Sequence, residues 1–156
     1  MTRTVRFAAL LALASALAGC FGPSDRRPGM WLAGDAAASL PEDWSFTDAV
    51  PEIAIEVRTP IGLPHSVTIW CASLDGQLYV GARDPETKHW PRWADRDPDV
   101  RLGIAGKLYA VRLAALDDEP TLERLRAAYA AKYSLPAPPE GTPQPPVRYW
   151  RVGPRS

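Results

Sequence analysis

The stretch Gly62-Leu63-Pro64-His65-Ser66-Val67-Thr68-Ile69-Trp70-Cys71-Ala72-Ser73-Leu74-Asp75-Gly76-Gln77-Leu78-Tyr79-Val80 decides the fold. From His65 to Ser73, Val67, Ile69 and Cys71 alternate with Ser66, Thr68 and Trp70, the two-residue period of a half-buried strand. Asp75-Gly76 is a hairpin signal, because a tight two-residue turn needs positive φ. Gln77 to Ala82 then returns as the next strand. Upstream, Ile53, Ile55 and Val57 alternate with Ala54, Glu56 and Arg58, and Pro60-Ile61-Gly62-Leu63-Pro64 turns that strand into the next.

Downstream the rhythm breaks. Pro85, Pro91 and Pro98 interrupt residues 83 to 99, and a short helix is expected around Trp90 to Arg96. Val100, Leu102 and Ile104 restart the alternation, and Ala105-Gly106 leads into a strand over Lys107 to Leu116. Asp117 or Asp118 can cap a helix with Glu119 and Pro120 in its first turn. Leu122, Leu125, Tyr129 and Tyr133 recur at helical spacing, so one face of that helix packs on the sheet. Residues 134–146 carry six prolines and predict an extended strap. Val147 to Val152 predicts a last strand at a sheet edge. The expected class is mainly β or α+β: a small antiparallel barrel with a short helix after the third strand and a longer packed helix near 119–133.

The N-terminus carries a second message. Arg3 and Arg6 precede an apolar run from Phe7 to Leu17, which closes on Leu17-Ala18-Gly19-Cys20. The run is too short for a comfortable membrane span, which needs about 20 apolar residues, and has the form of a cleaved secretory signal. Four segments follow: a signal peptide over 1–19; a lipidated N-terminus, tether and packed arm over 20–50, with Trp31 and Trp44 pinning the arm; the barrel over 51–133; and a proline-rich strap and final strand of the same domain over 134–156.

Without residues 1–19 the 18 basic residues fall to 16, since Arg3 and Arg6 leave, against an unchanged 18 acidic ones. That slight negative excess argues against a nucleic-acid partner. Cys71 is then the only cysteine besides Cys20. One thiol makes no internal disulfide, and its apolar run suits a small buried hydrophobe. No Cys-x-x-Cys, His-Glu-x-x-His, Gly-x-Gly-x-x-Gly or Gly-x-Ser-x-Gly is present, and His65 and His89 are too few for a convincing metal site. No catalytic signature can be named.

Leu17-Ala18-Gly19-Cys20 resembles the bacterial lipoprotein box, in which a peptidase cuts before a cysteine that carries diacylglycerol. The resemblance implies lipidation at Cys20 and a membrane partner bound through that lipid. The chain then faces the periplasm in the bacterial envelope, and Phe21 after the cysteine points to the outer rather than the inner membrane. The hairpin, Gly62 to Trp70 followed by Asp75 to Val80, resembles the split β-barrel superfamily of pyridoxamine-phosphate-oxidase-like proteins and deazaflavin-dependent nitroreductases. Lys88, Trp90, Asp97-Pro98-Asp99-Val100-Arg101-Leu102, Gly106-Lys107-Leu108-Tyr109 and Ala128 to Tyr133 continue it. Such proteins are mostly homodimers with flavin, deazaflavin or sometimes heme between subunits.

By that resemblance Arg83 and Lys88 stand where phosphate contacts lie, Ser66, Thr68 and Trp70 can line a flavin ring, and Trp90 and Trp93 can cover it. The plain alternatives are solvated charges for Arg83 and Lys88, packing for the tryptophans and a structural role for His65. Relatives often carry an asparagine in the short helix, whereas this chain has none, and Trp93 stands near that place. The favoured function is a membrane-anchored, non-catalytic binding or interaction module. The alternative is an oxidoreductase binding FMN or deazaflavin at a dimer cleft. No cofactor is fixed by the residues themselves.

Overall fold

In the computed structural model the described residues are 23, 27–139 and 141–155. The signal segment and Cys20 lie outside them. The strands are β1 (Asp35–Ala36), β2 (Ile53–Arg58), β3 (Pro64–Ile69), β4 (Cys71–Leu74), β5 (Gln77–Arg83), β6 (Asp99–Ile104), β7 (Lys107–Ala115) and β8 (Val147–Gly153). Helix α1 spans His89–Arg96 and α2 spans Glu119–Lys132. Short 3-10 turns cover Ser45–Ala49 and Pro85–Thr87.

Neighbouring strands follow the order β3-β2-β6-β7-β8-β5-β4, all antiparallel, with β1 added parallel to β7. The two ends of that order, β3 and β4, are consecutive in the chain with Trp70 alone between them. One long segment therefore pairs with β2 through its first half and with β5 through its second. This change of partner closes the sheet into a split barrel. The alternation over His65 to Ser73 reads as one strand, but the barrel needs it to be two.

Both two-residue hairpins take the left-handed conformation their sequences suggest. Asp75 and Gly76 have φ of 53° and 75°, and Ala105 and Gly106 have 48° and 81°. Antiparallel strands twist so that such turns join them without splaying. In α1, Pro91 sits in the first turn, where its missing N–H has no helical partner in any case. In α2, the Asp118 carboxylate accepts from the Thr121 amide at 3.0 Å, while Pro120 occupies the first turn.

The core has two parts. Inside the barrel lie inward residues such as Ile55, Val80, Leu102, Val111 and Trp150, all at most 1% exposed. Outside it, α2 lays Leu125 and Tyr129 over Ala72, Tyr79 and Tyr149. Leu122 and Tyr133 border this second cluster, as the helical spacing predicts. Strand β8 is not at an edge. It lies between β5 and β7, pairing Val80 with Trp150 and Leu113 with Val152. The proline strap over 134–146 brings this last strand back into the middle of the sheet, so one face of β8 (Trp150 and Val152) is buried inside.

The N-terminal arm crosses the outside of the barrel. Gly29 and Ser66 exchange backbone hydrogen bonds at 2.8 and 2.9 Å along the free edge of β3. The Leu32 amide then donates to Glu56 Oε2 at 2.7 Å, and β1 pairs with the start of β7, at Lys107 and Leu108, where β8 does not reach. Gly34 makes the crossing possible: at φ of +153°, a Cβ there would meet Gly106 O at 2.6 Å. Further on, Trp44 is 4% exposed within the barrel core, whereas Trp31 remains 47% exposed. Trp44 thus pins the arm in the core.

Candidate functional site

The residues singled out in the sequence fall into separate places. Ser66, Thr68 and Trp70 share the outward face of the long β3–β4 segment, yet they do not make one surface. Ser66 is fully buried beneath the arm at Gly29, and its Oγ has no hydrogen-bond partner among the described residues. Thr68 opens onto a groove of about 550 Å³ beside the arm, with Leu32, Glu52, Gly103 and Lys107 among its walls. Trp70 is at the barrel corner, its ring stacked on Tyr133 at 4.2 Å and 9°.

Arg83 and Lys88 do come together at the approach to α1. The Lys88 ammonium donates to the Arg83 carbonyl, and the Arg83 guanidinium is 3.7 Å from Asp84. Trp90, 4% exposed, is core: its ring packs on Trp150 at 5.1 Å. Trp93 instead makes a surface cluster with histidines, edge-on to His65 at 5.1 Å and stacked on His89 at 5.3 Å. Burial, reinforced by the nearby His89, holds the His65 imidazole below its usual range.

A bound flavin needs a ring surface and phosphate donors in one cavity. Within a single chain these residues do not supply that. Ser66 is sealed, Trp90 faces the core, and the Arg83–Lys88 pair is on a different element from Thr68 and Trp70. The residues present therefore do not fit such a group unless another chain completes the site.

The most densely bonded polar cluster is one the sequence analysis missed. Where the chain leaves β3 for β4, backbone groups lose regular partners and α2 supplies new ones. Tyr129 Oη donates to the Trp70 and Tyr79 carbonyls at 3.3 Å each, and the Cys71 amide donates to Tyr133 Oη at 3.1 Å. Tyr133 Oη donates in turn to Cys71 O at 2.9 Å. Lys132 Nζ reaches Thr47 O and Cys71 O at 2.8 Å each, and Cys71 Sγ at 3.4 Å. An ammonium has three donors, and three acceptors take them. The cluster is a joint that holds the barrel corner to the helix. Lys132 and Tyr133 stand in the α2 segment, but nothing local in the sequence reveals that their polar ends meet a strand break at Cys71.

The chemistry of Cys71 agrees. Burial pushes its thiol up, with Lys132 pulling the other way, and a neutral, fully buried thiol is a poor nucleophile. Lys132→Met should leave the Thr47 and Cys71 carbonyls short of a charged donor and lower stability by about 1–3 kcal/mol. Urea denaturation checks this, and an unchanged midpoint would contradict the clamp.

The same joint makes the fold alkali-sensitive. Burial raises the Tyr133 hydroxyl to about 12, and raises Tyr129 well above its usual range. An unfolded tyrosine ionises near 10. The stabilisation is therefore complete below pH 10 and disappears as pH climbs towards about 12. Denaturation midpoints should fall across that interval, in step with tyrosinate absorbance.

Comparison with known proteins follows the geometry. A family model described as an uncharacterized protein conserved in bacteria matches residues 46–152. No curated protein sequence matches the chain. Among solved structures, it is similar to a conserved hypothetical protein from Mycobacterium tuberculosis, with TM-score 0.53 and 18% identity over 78% of this chain and 86% of that one. It is similar also to a candidate 5-nitroimidazole antibiotic resistance protein from Bacteroides thetaiotaomicron, with TM-score 0.53 and 12% identity over 73% and 81% of the two chains. A pyridoxamine 5′-phosphate oxidase-related, FMN-binding protein from Nostoc punctiforme aligns more loosely, with TM-score 0.44 and 13% identity over 67% and 71%. The first two likenesses show the split-barrel fold.

Proposed function

The chain belongs to DUF2255, a family of proteins conserved in bacteria, and from that premise we propose that it is an envelope lipoprotein whose barrel binds or holds a partner rather than catalysing a reaction. Lipidation of Cys20 attaches it to a membrane on the periplasmic side, the outer membrane by the Phe21 argument. The observation that carries the non-catalytic reading is the arm. It runs along the β3 edge at Ser66, which is completely buried and is one of the three residues by which the resemblance lines the flavin ring. Support also comes from Trp90 in the core and from Cys71 and Lys132, the thiol and amine of the polar joint, both committed to structural bonds. No helix among the described residues is long and apolar enough to cross a membrane.

The alternative reading, FMN or deazaflavin held between two copies, rests on the family resemblance and on the paired cations Arg83 and Lys88. A homodimer belongs to both readings. The test is a titration of residues 21–156 with FMN and a deazaflavin, followed by fluorescence quenching, beside native mass spectrometry. The expected result is a folded protein without saturable binding. Binding that weakens in Arg83→Ala or Lys88→Ala overturns the non-catalytic reading and establishes the cofactor one.

A further inference from the structure

The arm has a direction, and it carries the N-terminal side of the chain to one end of the barrel. The Gly29–Ser66 bridge is antiparallel, so the chain before Gly29 heads along β3 towards Thr68 and Trp70, away from the Pro60–Pro64 turn. Pro23 lies on that course. It lines the groove at Thr68 together with Glu52, Ala105, Gly106 and Lys107. The strand register makes these residues one end of the sheet. Ile53 pairs with Ile69, Ala54 with Gly103 and Ile104 with Lys107, so Glu52, Trp70 and the Ala105–Gly106 turn lie on a common rim.

That rim has the side chains of a lipid–water interface. Trp70 is 39% exposed, and Tyr133 backs its ring at 4.2 Å, nearly parallel. Trp and Tyr gather at headgroup depth because each joins an apolar ring to a polar group. Lys107 is exposed on the same rim, where an ammonium can meet anionic headgroups. Glu52, also exposed, offsets part of that charge. The aromatic pair and the reach of the tether therefore carry most of the contact.

The tether decides which end meets the membrane. Three residue steps lead from Cys20 to Pro23, an extended reach of at most about 11 Å. A lipid on Cys20 holds this rim at the bilayer, at the millimolar effective concentrations that short linkers give. Under that constraint even a weak contact is populated. The Pro60–Pro64 turn is a strand length further off, about 20 Å for the six residues of β2. We propose that the rim carrying Trp70 and Lys107 docks onto the lipid bilayer that holds the Cys20 anchor. The proposal rests on the lipoprotein reading and adds an orientation to it. Glu52, Trp70 and the Ala105–Gly106 turn face lipid, while the Pro60–Pro64 turn and α1, whose Trp93 meets His65, face away.

The test uses the full-length lipidated protein in phosphatidylethanolamine–phosphatidylglycerol vesicles. An environment-sensitive fluorophore is placed at Ala105→Cys, exposed in its turn, or at Ile61→Cys, 81% exposed at the far end; buried Cys71 stays unlabelled. Expected at position 105 are a blue shift and loss of emission to a lipid-borne nitroxide quencher, with neither at position 61. Lys107→Glu leaves two carboxylates on the rim and should cut the quenching at position 105 several-fold while the protein stays with the vesicles. Water-like emission at position 105, quenching at position 61 instead, or quenching that ignores Lys107→Glu each overturn the docking face. Mass spectrometry of the N-terminal peptide from the same sample separates the two ideas. Diacylglycerol on Cys20 with a water-exposed position 105 overturns docking alone, whereas an unmodified Cys20 overturns the anchor and the docking with it.

Discussion

Trp150→Ala is expected to lower the unfolding free energy by about 3–5 kcal/mol. Trp150 is 1% exposed at the centre of the barrel. Its strand, β8, is held between β5 and β7. Its ring packs on Trp90 at 5.1 Å, and its Nε1 donates to Asp95 Oδ1 at 3.2 Å. Asp95 also accepts from Arg148 at 2.5 Å, and that guanidinium lies over the indole at 5.1 Å. Truncation thus empties a large core volume, strips α1 of its main contact with β8 and removes one bond from Asp95. A typical domain has only about 5–15 kcal/mol in total. Urea denaturation followed by tryptophan fluorescence reads the loss. Trp150→Phe keeps most of the ring and should cost much less, and equal losses for the two variants would show that packing is not the cause.

The second large effect is on location. Exported behind an ordinary cleavable signal, the mature chain with Cys20→Ser is expected to move from the membrane pellet to the soluble envelope fraction. Two or three acyl chains hold a protein stably, whereas one chain or a polar surface contact holds it only marginally. With the lipid gone, fractionation should show near-complete release. Retention in the pellet would mean that another part of the chain carries the attachment.

Much of the fold is legible because it depends on local patterns. The alternation of Ile53, Ile55 and Val57, the Asp75-Gly76 turn and the helical spacing of Leu125 and Tyr129 each state a preference that the tertiary structure then uses. Trp70 is where that reasoning stops. The period of two runs through it without a break, yet the barrel changes strand partners there, and pairing partners are set by residues far away in sequence. The edge placement expected for Val147 to Val152 fails for the same reason: a strand's neighbours depend on topology, while its own residues report only which face is buried.

The candidate site follows the same division. Residue types alone bring Ser66, Thr68, Trp70, Arg83, Lys88 and Trp90 into consideration, since hydroxyls, cations and aromatic rings are what a flavin would need. Their separation is a three-dimensional fact. Gly29 covers Ser66, Trp90 turns inward to Trp150, and Tyr133 takes the face of Trp70. By itself the sequence determined the strand and helix periods, the tight turns, the charge balance and the Leu-Ala-Gly-Cys box with the export it predicts. All of these depend on neighbours within a few residues. Only the tertiary structure decided the closure at Trp70, the central place of β8, the arm over β3 and the polar joint at Lys132. Each of those is a contact between segments separated by tens of residues, and local composition carries no record of which segments meet.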